Sequence, residues 1–98
     1  MKFTILGCGS SMGVPRADGF YGKCDPNNKK NRRLRCSLLV EKILGTKKTT
    51  VLIDTGPDVR EQLLQANVTN LDAVIYTHSH ADHVHGIDDL RTLAYKKR

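Results

Sequence analysis

The sequence predicts a small α/β domain, and three observations carry that reading. Strand-like apolar runs alternate with amphipathic helical ones in the order β-loop-β-β-α-β-α. A length of 98 residues holds one domain and no second core. Apolar residues make up 39 % and charged ones 27 %, the balance of a folded globular chain. No run approaches the roughly 18 consecutive apolar residues that a membrane span needs, so no membrane partner is expected.

Lys2 to Leu6 reads as the first strand, with Phe3 and Ile5 on one face. Gly7, Gly9, Gly13 and Pro15 break it, and Ser10 to Arg33 forms a long irregular loop with little to bury. Loops of more than about 15 residues in compact domains are usually functional or disordered. Cys36 to Val40 is the second strand, Gly45 to Lys48 a turn, and Thr50 to Asp54 the third strand, the two strands forming a hairpin. Thr55-Gly56-Pro57-Asp58 starts a helix that runs to about Ala66, with Val59, Leu63 and Leu64 on one face and Asn67 as its stop. Ala73-Val74-Ile75 forms a largely buried strand that delivers the chain to Thr77 and His78. After Gly86 a second helix places Ile87, Leu90, Leu93 and Ala94 at helical spacing, with Lys96, Lys97 and Arg98 at its C-terminal end.

The net charge of +6 is local: seven basic residues against two acids between Arg16 and Arg35 account for +5 of it. An anionic partner would therefore meet that segment rather than the whole surface. Lys29, Lys30, Arg32, Arg33 and Arg35 suit a phosphate-bearing substrate or RNA, while a merely solvated charge run explains them equally well. Phe20 and Tyr21 are a thin aromatic set for nucleic-acid stacking. Three widely spaced cysteines, Cys8, Cys24 and Cys36, with no C-x-x-C pair, read as reduced thiols of a cytoplasmic protein.

All four histidines fall within His78-Ser79-His80-Ala81-Asp82-His83-Val84-His85, just beyond the fourth strand. At i, i+2 on an extended segment, His78 and His80 project to the same side. A short helix starting there projects Asp82 and His83 from its first turn. Neutral imidazole and carboxylate are donors for Zn²⁺, with Mn²⁺ or Fe also tolerated. Gly7-x-Gly9-x-x-x-Gly13 is not a dinucleotide fingerprint, because its third glycine comes one position late and Pro15 follows where a helix should open.

The string Thr77-His78-Ser79-His80-Ala81-Asp82-His83 resembles the signature of the metallo-β-lactamase superfamily. Three further segments, 7–16, 31–35 and 53–58, resemble its PhnP-like phosphodiesterase branch, with the tRNA 3′-processing endonucleases as more distant cousins. The resemblance implies an αββα sandwich, of which residues 1–98 are the truncated N-terminal part, mostly one β-sheet with covering helices. It implies a two-metal zinc site in the complete fold, with His78 and His80 on one metal and Asp82 and His83 on the other. It also implies that Asp54 steadies the site and that Asp82 serves catalysis; a plain helix cap is the alternative for Asp54. His85 lies outside the signature, and Arg91 fits either the family pattern or a surface salt bridge. Arg32, Arg33 and Arg35 are the candidate substrate-binding residues. The expected substrate is a small phosphodiester or nucleotide, with RNA the lesser candidate.

Two departures qualify that expectation. Only Cys24 stands where some relatives carry a zinc-binding cysteine cluster, and the remaining metal ligands of the family lie beyond this length. Two protein ligands per metal fall short of the three plus water typical of catalytic zinc. The alternative is a non-catalytic fragment, or half of a split protein needing a complementary C-terminal chain or a homodimer.

Overall fold

The computed structural model describes residues 1–96, with side chains through Leu93, so Lys97, Arg98 and the side chain of Ala94 lie outside the described residues. Strands β1 (Lys2–Gly7), β2 (Ser37–Leu44), β3 (Lys47–Ile53) and β4 (Ala73–Ile75) form one sheet in that order. The first two junctions are antiparallel and β3–β4 is parallel. Helix α1 (Val59–Gln65) crosses between β3 and β4, and α2 (Ala81–Val84) and α3 (Arg91–Lys96) follow β4, joined by a 3-10 turn at Ile87–Leu90. The α/β class read from the sequence is thus what the chain adopts.

The hairpin is longer and tighter than its sequence suggests, because Gly45 and Thr46 alone close it. Gly45 sits at φ +60 and Thr46 keeps a negative φ, the pattern of a two-residue turn that needs glycine first. Helix α1 ends where expected. Asn67 adopts φ +55, its N–H reaches Leu64 O at 3.2 Å, and Val68 N–H reaches Leu63 O at 3.0 Å. That pair of bonds is a Schellman closure with asparagine in the left-handed position.

Leu39, Leu52, Val59, Leu63 and Leu71 make the core between the sheet and α1, with Leu6, Val68, Val74, Leu90 and Leu93 packed around it. Leu52 is fully buried at its centre, so Leu52→Ala is expected to cost about 2–5 kcal/mol, read as a lower urea midpoint at unchanged m-value. Leu64 departs from expectation: α1 buries Val59, Gln62 and Leu63 instead, because Leu64 lies about 100° further round the helix.

Of the strands, β1 is as expected and β4 departs. Phe3 and Ile5 share a face, but it is the face away from α1, where they stay 62 % and 72 % exposed while Thr4 and Leu6 turn inward. The register continues that outer face across the sheet. Phe3 pairs with Val40 and Val40 with Val51, while Ile5 pairs with Leu38 and Leu38 with Ile53. Ile75, opposite Ile53, is 54 % exposed, so β4 is a half-open edge strand rather than a largely buried one. Its burial was overestimated because an apolar triplet does not say whether it lies at a sheet's centre or its edge. One apolar sheet face therefore has no opposing layer among the described residues.

Candidate metal centre

Register places the functional segments at one end of the sheet. Gly7 lies opposite Ser37, Leu38 opposite Ile53, and Ile53 opposite Ile75. The ends of β1, β3 and β4 and the start of β2 therefore converge, bringing the long basic loop and the histidine segment to the same edge.

Asp54, immediately after β3, is the pivot. It is 4 % exposed, takes a left-handed φ of 67, and caps no helix. Its Oδ1 accepts the Thr77 amide N–H at 2.9 Å, and its Oδ2 accepts the Thr77 hydroxyl at 2.8 Å and faces His83 Nδ1 at 2.6 Å. Burial works to raise this carboxyl. The hydrogen bonds from the Thr77 amide, His83 and the Thr77 hydroxyl outweigh it and hold Asp54 below the ordinary carboxylate value. A folded value below the unfolded 3.8 means that this contribution to stability is present above 3.8 and lost as pH falls through the folded value. In urea titrations, wild-type protein should therefore weaken more steeply with acidification than Asp54→Asn.

Hydrogen-bond arithmetic then orients two imidazoles. The single Thr77 hydroxyl proton goes to Asp54, so the 2.9 Å contact between Thr77 Oγ1 and His78 Nδ1 requires the proton on Nδ1. Asp54 likewise draws the His83 Nδ1 proton. Both rings thereby keep a lone pair on Nε2, one through Thr77 and one directly.

The candidate donor atoms of His78, Asp82 and His83 all lie within 4.8 Å of one another. The rings of His78 and His83 are tilted against each other with centroids 4.0 Å apart. His80 lies beside this trio and outside its donor group, edge-on to His78 at 4.7 Å, where it precedes the first turn of α2. His85 is an exposed residue closing α2, and Arg91 Nε donates to the Asp88 carbonyl at 2.9 Å.

The contact that defines the site lies on the far side of His83, where Nε2 faces Asp82 Oδ2 at 3.1 Å. One neutral imidazole carries one proton and here meets two carboxylates. With that proton directed to Asp54, Nε2 and Asp82 Oδ2 are two acceptors face to face. A second ring proton removes the conflict, and so does a divalent cation between them, since nitrogen with carboxylate oxygen is a donor set that zinc, manganese or iron accepts.

Backbone contacts fix this turn against β3. Thr55 N–H donates to His83 O at 2.8 Å, and Gly86 N–H donates to Thr55 O at 2.9 Å. A Cβ on Gly86 would collide with the Gly56 carbonyl, so the motif can lie this close only with glycine there. The sequence places Thr77 in the motif, Gly56 at a helix start and Gly86 before the second helix, but shows none of them holding the site together. The available signals were the hydroxyl residue just before His78 and the glycine just after the last histidine.

The candidate substrate arginines share no hydrogen bond with the histidines among the described residues. Arg35 donates its backbone N–H to Asp58 Oδ2 at 2.9 Å and holds Nε 3.4 Å from the same oxygen. That arrangement explains why Asp58 makes no side-chain capping bond to α1. Arg33 Nη1 approaches Cys8 Sγ at 4.0 Å, and Arg32 is exposed.

A family profile described as a β-lactamase superfamily domain matches residues 49–98, half of the chain, including most of β3 and all of α1, β4 and the histidine turn. The chain belongs to the β-lactamase superfamily. A solved structure described as a new diphosphatase from the PhnP family superposes on this superfamily chain with a TM-score of 0.79 and 43 % identity, over 97 % of the chain and 36 % of the diphosphatase. Zn²⁺-bound PqqB from Methylobacterium extorquens superposes with a TM-score of 0.67 and 25 % identity, over 93 % of the chain and 34 % of PqqB. An octanoyltransferase of Porphyromonas gingivalis (strain ATCC BAA-308 / W83) is 41 % identical over 97 residues, 99 % of this chain and 19 % of that protein. The chain thus spans about a fifth of that curated relative and about a third of the two solved ones. Superfamily, fold and likeness to the PhnP branch agree with the sequence reading. No helix among the described residues is long and apolar enough to cross a membrane.

Proposed function

We propose that residues 1–98 provide part of the metal centre of a metal-dependent hydrolase whose substrate is a small phosphodiester or nucleotide. The observation that carries this reading is His83, whose ring nitrogens face carboxylates on both sides, Asp54 Oδ2 at 2.6 Å and Asp82 Oδ2 at 3.1 Å. Likeness to a PhnP-family diphosphatase favours phosphorus chemistry, and likeness to a zinc-bound neighbour favours Zn²⁺ over Mn²⁺ or Fe.

In this assignment His78 and His83 offer Nε2, Asp82 offers a carboxylate oxygen, and His80 adds a fourth donor after a rotation of its exposed ring. A bound divalent cation supplies Lewis-acid polarisation of the phosphoryl group. Asp54 positions both imidazoles without touching substrate, directly for His83 and through Thr77 for His78. Arg32, Arg33 and Arg35 attract the anion toward the same end of the sheet.

The uncovered sheet face and the short donor set favour a second statement about the same site: full activity needs a complementary polypeptide. The test is hydrolysis of bis(4-nitrophenyl) phosphate and 4-nitrophenyl octanoate, with Zn²⁺ and with chelator. It is run on the 98-residue chain alone and with the remaining part of a PhnP-family diphosphatase supplied in trans. Chelator-sensitive phosphodiester turnover only in the mixture is expected. Turnover by the chain alone contradicts the need for a complement, and turnover confined to the octanoyl ester contradicts the phosphodiester assignment.

A further inference from the structure

The charged loop is better ordered than a solvated charge run. Val14 and Arg33 exchange backbone hydrogen bonds at 3.3 and 2.7 Å, and Gly9 N–H donates to Leu34 O at 2.8 Å. These single bridges hold the loop start against residues 33–35, and both segments line one cleft. Arg16, Arg32, Arg33 and Arg35 line this cleft against only two carboxylates, Asp58 and Glu61, and its volume of about 1120 Å³ admits a nucleotide-sized molecule.

The charge in the cleft is poorly compensated. Asp58 answers Arg35 alone, and even there Nε is buried without a hydrogen bond. Arg16 lies 4.9 Å over the Phe20 ring, and the polar neighbour of the Arg33 guanidinium is a thiol. Among the described residues, Arg16, Arg32 and Arg33 have no carboxylate within ion-pair distance. Guanidinium forks match phosphate oxygens two bonds at a time, and three clustered without counter-charge gain most from a dianion.

We infer that the cleft lined by Arg16, Arg32 and Arg33 is a binding site for a phosphate monoester, separate from the histidine cluster. The inference rests on the assignment of these arginines to the substrate side and extends it, naming Arg16 and a bound group rather than diffuse attraction. The same dianion is offered by free phosphate or by an organic monoester, and the site is built for the ester because its volume far exceeds one phosphate.

The experiment is a titration of the 98-residue chain with inorganic phosphate and with adenosine 5′-monophosphate, followed by backbone amide NMR at low salt. Saturable shifts at residues 13–16 and 32–35 are expected with both probes, the nucleotide binding at least as tightly. Arg16→Gln/Arg33→Gln should weaken binding about tenfold or more, whereas Lys29→Gln/Lys30→Gln, which removes equal charge outside the cleft, should change it less than about twofold. Arg16→Lys/Arg33→Lys, which keeps the charge, should show an intermediate loss if the fork geometry matters, and it serves as the readout if the glutamine pair does not fold. Equal losses in the two glutamine pairs, shifts spread over every basic residue, or binding of free phosphate alone would overturn the inference. His83→Ala should leave this binding unchanged, so failure of the metal assignment and failure of the cleft assignment give different results.

Discussion

Replacing His83 by alanine is expected to lower Zn²⁺ affinity by about 100-fold or more, measured by isothermal titration on the 98-residue chain, because it deletes the group shared by both carboxylates. The more informative companion is Asp54→Asn. Asparagine tolerates the left-handed backbone at this position, where φ is 67, so the fold should survive. Its carboxamide can still accept from Thr77, but an amide NH₂ turned toward His83 no longer holds the proton on Nδ1. The His83 tautomer then shifts toward Nε2–H, which blocks the nitrogen facing Asp82. A loss of about 10- to 100-fold in zinc affinity, measured at a temperature where the variant remains folded, is the expected outcome. An unchanged affinity would mean that Asp54 is a structural buried acid and nothing more.

The second large effect falls on a residue with no chemistry. Gly86→Ala places a methyl against the Gly56 carbonyl and the Val59 side chain. Backbone cannot withdraw as a flexible side chain does, and the Gly86–Thr55 bond at 2.9 Å ties the two segments at that point. The turn must move off β3, taking His83 O away from Thr55 N–H. We expect a loss of about 3 kcal/mol or more in chemical denaturation, within the range for overpacking plus a lost buried hydrogen bond. Zinc affinity should fall with it. Alanine at Gly22, where a Cβ meets nothing within 4 Å, is the control; its backbone strain at φ +65 should cost about 1 kcal/mol and leave zinc affinity alone.

Local pattern made much of this legible. The strands, α1 and its stop at Asn67 follow from periodicity and capping chemistry, and the clustering of four histidines beyond a strand singled out the candidate site. Asp54 enters the sequence reading only through the family resemblance, because its role depends on contacts between distant residues. Asp54 meets Thr77 and His83 across 23 and 29 positions, and no local rule predicts the left-handed backbone that aims it there. That Phe3 and Ile5 share a face follows from alternation, while which face is core is decided by the crossing of α1, which alternation does not show. The loop from Ser10 to Arg33 reads as irregular because single bridges such as Val14–Arg33 leave no periodic trace.

The account turns on one arrangement: Asp54 draws a proton onto Nδ1 of His83, and through Thr77 onto Nδ1 of His78, leaving both Nε2 atoms to a cation beside Asp82. Long-range ¹H–¹⁵N spectra of the imidazoles, recorded as Zn²⁺ is added, test it most directly. The account predicts that the Nε2 resonances of His78 and His83 move to metal-bound positions while Nδ1 of both rings stays protonated. Zinc that leaves the His83 ring unchanged, or that shifts only His80 and His85, would contradict it.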